Sequence, residues 1–194
     1  MTVTSVAAPV VPTTPPLRRG WQRSGVIILI FVAVLGGAYA LAWWDAYQLA
    51  QQYMADADAS FANGDYLNAL AGYETFDAQA NRFVTHGGYT QVENIWRHVW
   101  AWPKPALVAV ARARIDEIID HRLTIADAEQ FVQKNTGRPN AYMGRIFLRL
   151  GELYAQAGDL ISARDVFNEI PDLFPNDPGL IQAAATRLQN LDAP

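Results

Sequence analysis

The sequence predicts an all-α chain in which one N-terminal transmembrane helix is followed by a helical domain. Three observations carry that prediction. Residues 25–44, GVIILIFVAVLGGAYALAWW, contain no charged side chain, as a membrane span requires. Beyond them apolar residues recur at helical spacing through residues 45–194. Gly, Asn, Asp and Pro cluster between those blocks and divide them into short helices.

The first 24 residues form a tail rich in Thr, Val and Pro, with Pro9, Pro12, Pro15 and Pro16 opposing helix and favouring extended backbone. By itself such a tail is expected to be disordered. Arg18, Arg19 and Arg23 close it.

Twenty helical residues at about 1.5 Å each reach about 30 Å, the thickness of the hydrocarbon layer. Trp21 precedes the run and Trp43 with Trp44 ends it, where amphipathic rings settle at lipid–water boundaries. The next basic residue after the span is Arg82, and Asp45, Asp56, Asp58, Asp65, Glu74 and Asp77 lie between. The positive-inside bias therefore assigns the N-terminus to the cytoplasm of a bacterium and the C-terminal domain to the periplasmic side. Ala38-Tyr39-Ala40 has the small-x-small form of a signal cleavage site, but the apolar run continues past it to Trp44. Arg18-Arg19 matches a twin-arginine signal only loosely, and an inside-positive anchor explains the arginines more simply. Within the span, Ala33 with Gly37 and Gly36 with Ala40 form two overlapping small-xxx-small ridges. They fit a partner helix in the membrane, or the ordinary abundance of Gly and Ala in such helices.

The outer domain, residues 45–194, reads as all helical in class, with one irregular stretch. Tyr47, Leu49, Tyr53, Met54, Ala57 and Phe61 mark a helix face over 45–62, followed by the turn Asn63-Gly64-Asp65. No Gly or Pro separates Trp44 from Ala62, so the span is expected to continue unbroken into this helix. Helix is expected again over 66–80, with 81–104 irregular. Further helices are expected at 105–121 and at 124–134, where Thr124 and Asp127 have capping-box spacing. Residues 135–139 make a linker, and helices follow at 140–157, 160–173 and 178–190.

Residues 144–177 resemble a tetratricopeptide repeat, a 34-residue helix–turn–helix unit. The matching positions are Phe147, Leu150-Gly151, Tyr154, Gly158, Ala163, Phe167 and Pro175, whereas Ile170 replaces a small residue and Pro171 is an extra break. A degenerate copy spans 50–83, with Tyr53, Ala57, Gly64, Tyr66, Ala69 and Tyr73 in register; Asp56 and Ser60 depart from the pattern and the closing Pro is missing. Residues 105–138 have the length of a third pair, and 178–191 is similar to a solvating cap helix. The resemblance implies that the first helix of each pair lines a concave groove, making Arg145, Leu148, Glu152 and Gln156 candidate partner contacts, with Asp58 and Phe61 in the earlier copy. The Lys and Asn clamp with which some members hold a carboxylate is not matched.

The most unusual feature is the tryptophan cluster Trp96, Trp100 and Trp102. Spacing of four puts Trp96 and Trp100 on one helical face, with Trp102 just beyond. Three fates are open to it: packing in the core, docking on a membrane surface, or insertion into a partner subunit.

Composition narrows the function classes. The 194 residues include 15 Lys plus Arg, 19 Asp plus Glu and no Cys, for a net charge of −4. Lys104 and Lys134 are the only lysines, which leaves no basic surface for nucleic acid. Without Cys there is no disulfide, thiolate metal site, Cys nucleophile or covalent haem. His86, His98 and His121 lack paired metal-ligand spacing, and no G-x-S-x-G, P-loop or G-x-G-x-x-G occurs. No catalytic residue, metal, cofactor or small-molecule substrate is therefore expected. The expected role is a non-enzymatic scaffold or accessory subunit whose partners are the lipid bilayer and other subunits of a membrane complex. A basic tail, one span and an outer repeat domain also look like the small accessory subunits of bioenergetic assemblies such as alternative complex III. The alternative is a membrane-anchored periplasmic chaperone or assembly factor near the secretion machinery.

Overall fold

The structure, a computed structural model, describes residues 18–192, with side chains over residues 25–191. The proline-rich residues 1–17 lie outside the described residues, as does the side chain of Trp21. Helix α1, Arg18–Ala62, starts seven residues before the expected boundary. No proline lies between Pro16 and Ala62, so no residue in that stretch lacks the N–H or carries the ring that breaks a helix. The chain divides into two units between Asp45 and Ala46.

In the first unit α1 is long and apolar enough to cross a membrane, and its apolar window is wholly unburied. In the second, the 46–62 part of α1 buries Ala50, Ala57 and Ser60, a helical spacing, while Leu49 points outward.

Two turns of the second unit repeat one design. After α1, Gly64 takes φ +77° and the Asp65 N–H reaches back to the Ser60 carbonyl at 2.9 Å. Asp65 then caps α2 (Tyr66–Ala71), accepting from the Asn68 N–H at 3.2 Å. Ninety-four residues later, between α6 (Met143–Gln156) and α7 (Leu160–Leu173), Gly158 takes φ +85° and the Asp159 N–H reaches the Tyr154 carbonyl at 3.0 Å. Asp159 likewise accepts from the Ser162 N–H at 3.1 Å. Each glycine supplies the left-handed conformation that lets one helix end and the next begin within three residues.

The helix expected over 66–80 is corrected to a short helix followed by a hairpin. Gly72 sits at φ +73° and ends α2, and a Cβ there would lie 2.6 Å from the His86 carbonyl oxygen. Strands β1 (Tyr73–Asp77) and β2 (Arg82–His86) then pair antiparallel, with Tyr73 opposite His86 and Phe76 opposite Phe83. Thr75, Phe76, Phe83, Val84 and Thr85 favour extended backbone and gain cross-strand contacts. At the tip, Asp77 Oδ1 accepts from the Gln79 and Ala80 N–H groups at 2.9 and 3.1 Å, and Asn81 takes φ 47°. Segment 50–83 thus has the first helix and turn that the resemblance implies but only a six-residue second helix, with Tyr73 placed on a strand.

The chain continues through α3 (Tyr89–Ile95), α4 (Leu107–Glu117), a π-helical turn at Ile118–Arg122 and α5 (Ile125–Asn135). The Thr124 and Asp127 side chains and backbone N–H groups exchange bonds at 3.1–3.2 Å, completing the capping box. Helix α6 packs on α5, α7 and α8 (Pro178–Asp192), and α7 packs on α8. Gly151 permits close approach, since a Cβ there would lie 2.5 Å from Phe167 Cε1. Phe147, Ala163, Phe167, Ile170, Leu180 and Ala184 form the buried core of this stack. Helix α7 runs through Pro171 to Leu173.

Candidate interaction surfaces

The described side chains of the span present a continuous apolar exterior. Ala33, Gly36, Gly37 and Ala40 are all exposed, and nothing lies within 4 Å of a Cβ built on either glycine. Trp43 is half-buried and Trp44 is exposed. A surface of this kind has no favourable contact with water and is matched by lipid or by another apolar helix.

The tryptophan cluster divides. Helix α3 stops at Ile95, and Trp96 is its cap, with its N–H bonded to the Glu93 carbonyl at 3.1 Å. Trp96 is 1% exposed and belongs to the core. It is therefore corrected from partner contact to packing residue, and the expected shared face with Trp100 does not form because the helix ends between them. The backbone reverses in a turn in which Ala101 N–H donates to the His98 carbonyl at 3.0 Å and Trp100 N–H to His98 Nδ1 at 3.2 Å. That turn leaves Val99, Trp100 and Trp102 at 82%, 76% and 73% exposure. The hairpin adds a second apolar display, the exposed Phe76 and Phe83 rings in edge contact at 5.2 Å.

The groove residues implied by the repeat resemblance are engaged within the chain. Arg145 pairs with Asp116, and with Asp120 at 2.7 Å. Glu152 lies between Arg149 at 3.0 Å and Arg187 at 2.8 Å. Leu148 packs against the α6–α8 core. Gln156 is exposed on the rim of a cavity of about 340 Å³ lined also by Glu152, Phe167 and Arg187. Of these four, only Gln156 is left as an open polar contact; the others first tie helices together. In the earlier copy, Asp58 accepts from the Tyr89 hydroxyl at 2.6 Å. Phe61 packs on Tyr66 and Tyr89 under the Arg114 guanidinium, 4.6 Å from its ring centre.

Three tyrosine–carboxylate ties, absent from the sequence reading, hold the second unit. Tyr89 binds Asp58, Tyr142 binds Glu93, and Tyr154 binds Glu129. Burial, then the adjoining carboxylate, pushes the Tyr89 and Tyr142 phenols far up. The Glu129 hydrogen bond, followed by burial, pushes Tyr154 up to about 12. Burial is the largest single influence on Glu93 and raises it. Hydrogen bonds from Tyr142 and Arg112, with the charges of Arg112 and Arg97, outweigh burial and hold Glu93 below the usual carboxylate range. A carboxylate so occupied is a poor general base and a good strut.

The histidines sit apart. His86 bonds Thr75 at 2.9 Å and stacks on Tyr73, His98 shapes the aromatic turn, and His121 is exposed on the π-helical turn. Among the described residues no cluster of three His, Asp or Glu is placed to hold a metal ion. No protein-family model, curated protein or solved structure matches the chain.

Proposed function

We propose that this protein is a membrane-anchored, non-enzymatic scaffold or accessory subunit that makes protein–protein contacts within a multi-subunit membrane complex. One observation carries the proposal: a single polypeptide joins an unburied, membrane-length apolar helix to a domain whose last four helices, α5 to α8, stack in chain order. In that stack α6 touches its predecessor, its partner and the helix after its partner, the neighbour pattern of a solenoid. The twin Gly-Asp turns at 64–65 and 158–159 support the same tetratricopeptide-like reading for both copies. The charge asymmetry around the span supports a cytoplasmic N-terminus and an outer-face domain. Exposed aromatic side chains on the loop and hairpin give the domain surfaces of the type that anchors interfaces.

The test is mild-detergent purification of the tagged full chain, with mass spectrometry and visible absorption of what accompanies it. A fixed-ratio set of membrane subunits supports the proposal, and cofactor absorption travelling with them would make the complex an electron-transfer assembly. Substoichiometric recovery with translocon or folding factors would favour the chaperone reading instead. Recovery of the chain alone would overturn both. Gly37→Leu is expected to weaken recovery of membrane partners while leaving the outer domain folded; unchanged recovery would remove the small-residue ridge as the contact.

A further inference from the structure

We propose that the loop over residues 97–104 is a second, peripheral membrane contact. Val99, Trp100 and Trp102 enter the interfacial layer of an anionic bilayer, while Arg97 and Lys104 meet its phosphates. The inference rests on four features of the loop and is independent of which proteins the domain binds.

First, three large apolar side chains within four positions are each more than 70% exposed. Second, two of them are tryptophans, whose rings combine a broad apolar face with one N–H donor and settle at lipid–water boundaries. Third, the charge around them has the sign an anionic surface demands. Arg97 and Lys104 flank the aromatic residues and both are exposed; Arg97 also acts at longer range on Glu93, and neither makes a close ion pair among the described residues. No Asp or Glu occurs from Asn94 to Ile115, although the chain as a whole carries −4, and Lys104 is one of its two lysines. Fourth, the loop is held in shape. Trp96 is buried at its base, and backbone bonds of 3.0 Å from Ala101 to His98 and 2.9 Å from Trp102 to Trp100 fix the turn, so little ordering remains to oppose binding.

A soluble protein would gain little from so small a patch, because a few interfacial side chains bind bilayers weakly and reversibly. This chain carries the apolar segment of α1 on the same polypeptide. Once that segment is in lipid, docking of the loop becomes an intramolecular event and needs less affinity of its own.

The chain has no Cys, so Val99→Cys supplies a unique site for a nitroxide label. The labelled full chain is reconstituted in vesicles of neutral phosphatidylcholine, with or without anionic phosphatidylglycerol. Collisions of the label with oxygen and with a water-soluble nickel chelate are then compared. In anionic vesicles the label at residue 99 is expected to favour oxygen. A label at Ile161→Cys, equally exposed at 74% on α7, is expected to favour the chelate. Arg97→Gln with Lys104→Gln is expected to weaken docking about 30-fold on anionic vesicles, at about one tenfold per 1.4 kcal/mol and about 1 kcal/mol per cation. The same pair should change little on neutral vesicles. Trp100→Ser with Trp102→Ser is expected to return the label to water. A label at 99 that stays with the chelate in both vesicle types would overturn the proposal. So would shielding that appears only when copurified protein subunits are added, which would assign the loop to a protein partner. The label is read first in the chain with both tryptophans present, so a serine variant that fails to fold leaves that result standing.

Discussion

Gly151→Ala tests the close crossing of α6 on α7, because here a substitution that ordinarily strengthens a helix should weaken the protein. In an exposed helix the exchange stabilises by about 0.5–1 kcal/mol, since glycine loses more conformational freedom on folding. At residue 151 the added methyl would lie 2.5, 2.8 and 2.9 Å from three atoms of the Phe167 ring, against the roughly 3.5–4.0 Å that non-bonded carbons prefer. The ring is 1% exposed and belongs to the same buried cluster as Ala163, Ile170 and Ala184, so making room for the methyl means shifting a core side chain. Overpacking of this kind costs about 1–3 kcal/mol. The net expectation is a loss of about 1 kcal/mol, or about 2–4 °C in the melting of a domain of this size. The assay is thermal unfolding of the full chain in mild detergent, followed by far-ultraviolet circular dichroism. Phe167→Leu removes the ring atoms that the methyl meets, so in that background Gly151→Ala should become neutral or stabilising. The resulting coupling energy is about 1–2 kcal/mol, above the roughly 0.5 kcal/mol scatter of independent sites. Stabilisation by Gly151→Ala in the native background, or additivity of the two changes, would refute the crossing geometry.

Three further outcomes follow from the same structure. The Tyr154 phenol is raised from 10.0 to about 12 in the fold; its contribution is therefore complete below pH 10 and lost as pH climbs toward 12, so the stability deficit of Tyr154→Phe should disappear across that interval in alkaline melts. Glu93 is held below its ordinary 4.5, so its contribution is present above that value and drains away as pH falls; the deficit of Glu93→Gln should be largest near neutrality and vanish in acid. Trp96→Ala should cost about 3–5 kcal/mol as a core truncation, whereas Trp100→Ala should stay within about 0.5 kcal/mol; equal effects in urea unfolding would contradict their opposite burial.

Those contrasts show where local sequence carried the fold. The span needed only composition, because twenty uncharged residues have no stable place in water. Helices α5 to α8 needed only punctuation. Thr124, Asp159 and Pro178 open helices at the expected places, and Gly158 closes one, all by bonds that act within a few residues. The hairpin was illegible for the opposite reason. Tyr66–Ala71 propagates as helix, and nothing in that stretch announces that Gly72 must turn to admit the His86 carbonyl fourteen residues away. The local hint was Thr75-Phe76 answered by Phe83-Val84-Thr85, but pairing partners are specified by cross-strand contact, which spacing alone does not disclose.

The interaction surfaces follow the same division between short-range and long-range causes. An i,i+4 pair shares a face only while the helix lasts, and α3 ends at Ile95, so Trp96 and Trp100 turn from neighbours into opposites. Arg145 looked available because its partners are remote, Asp116 lying 29 residues away and Asp120 25, and Glu152, though one turn from Arg149, is also tied to Arg187 35 residues away. A helix face whose charges already bind one another presents little to a ligand, since any new partner must first displace an existing ion pair. The exposed aromatic turn carries no such penalty. Much of its apolar area is already in water and its backbone is already ordered, so contact with lipid or protein there removes water from apolar surface. On that ground the proposed outward contact falls on the loop at 97–104, with the exposed rings of the hairpin as the other apolar display of the domain.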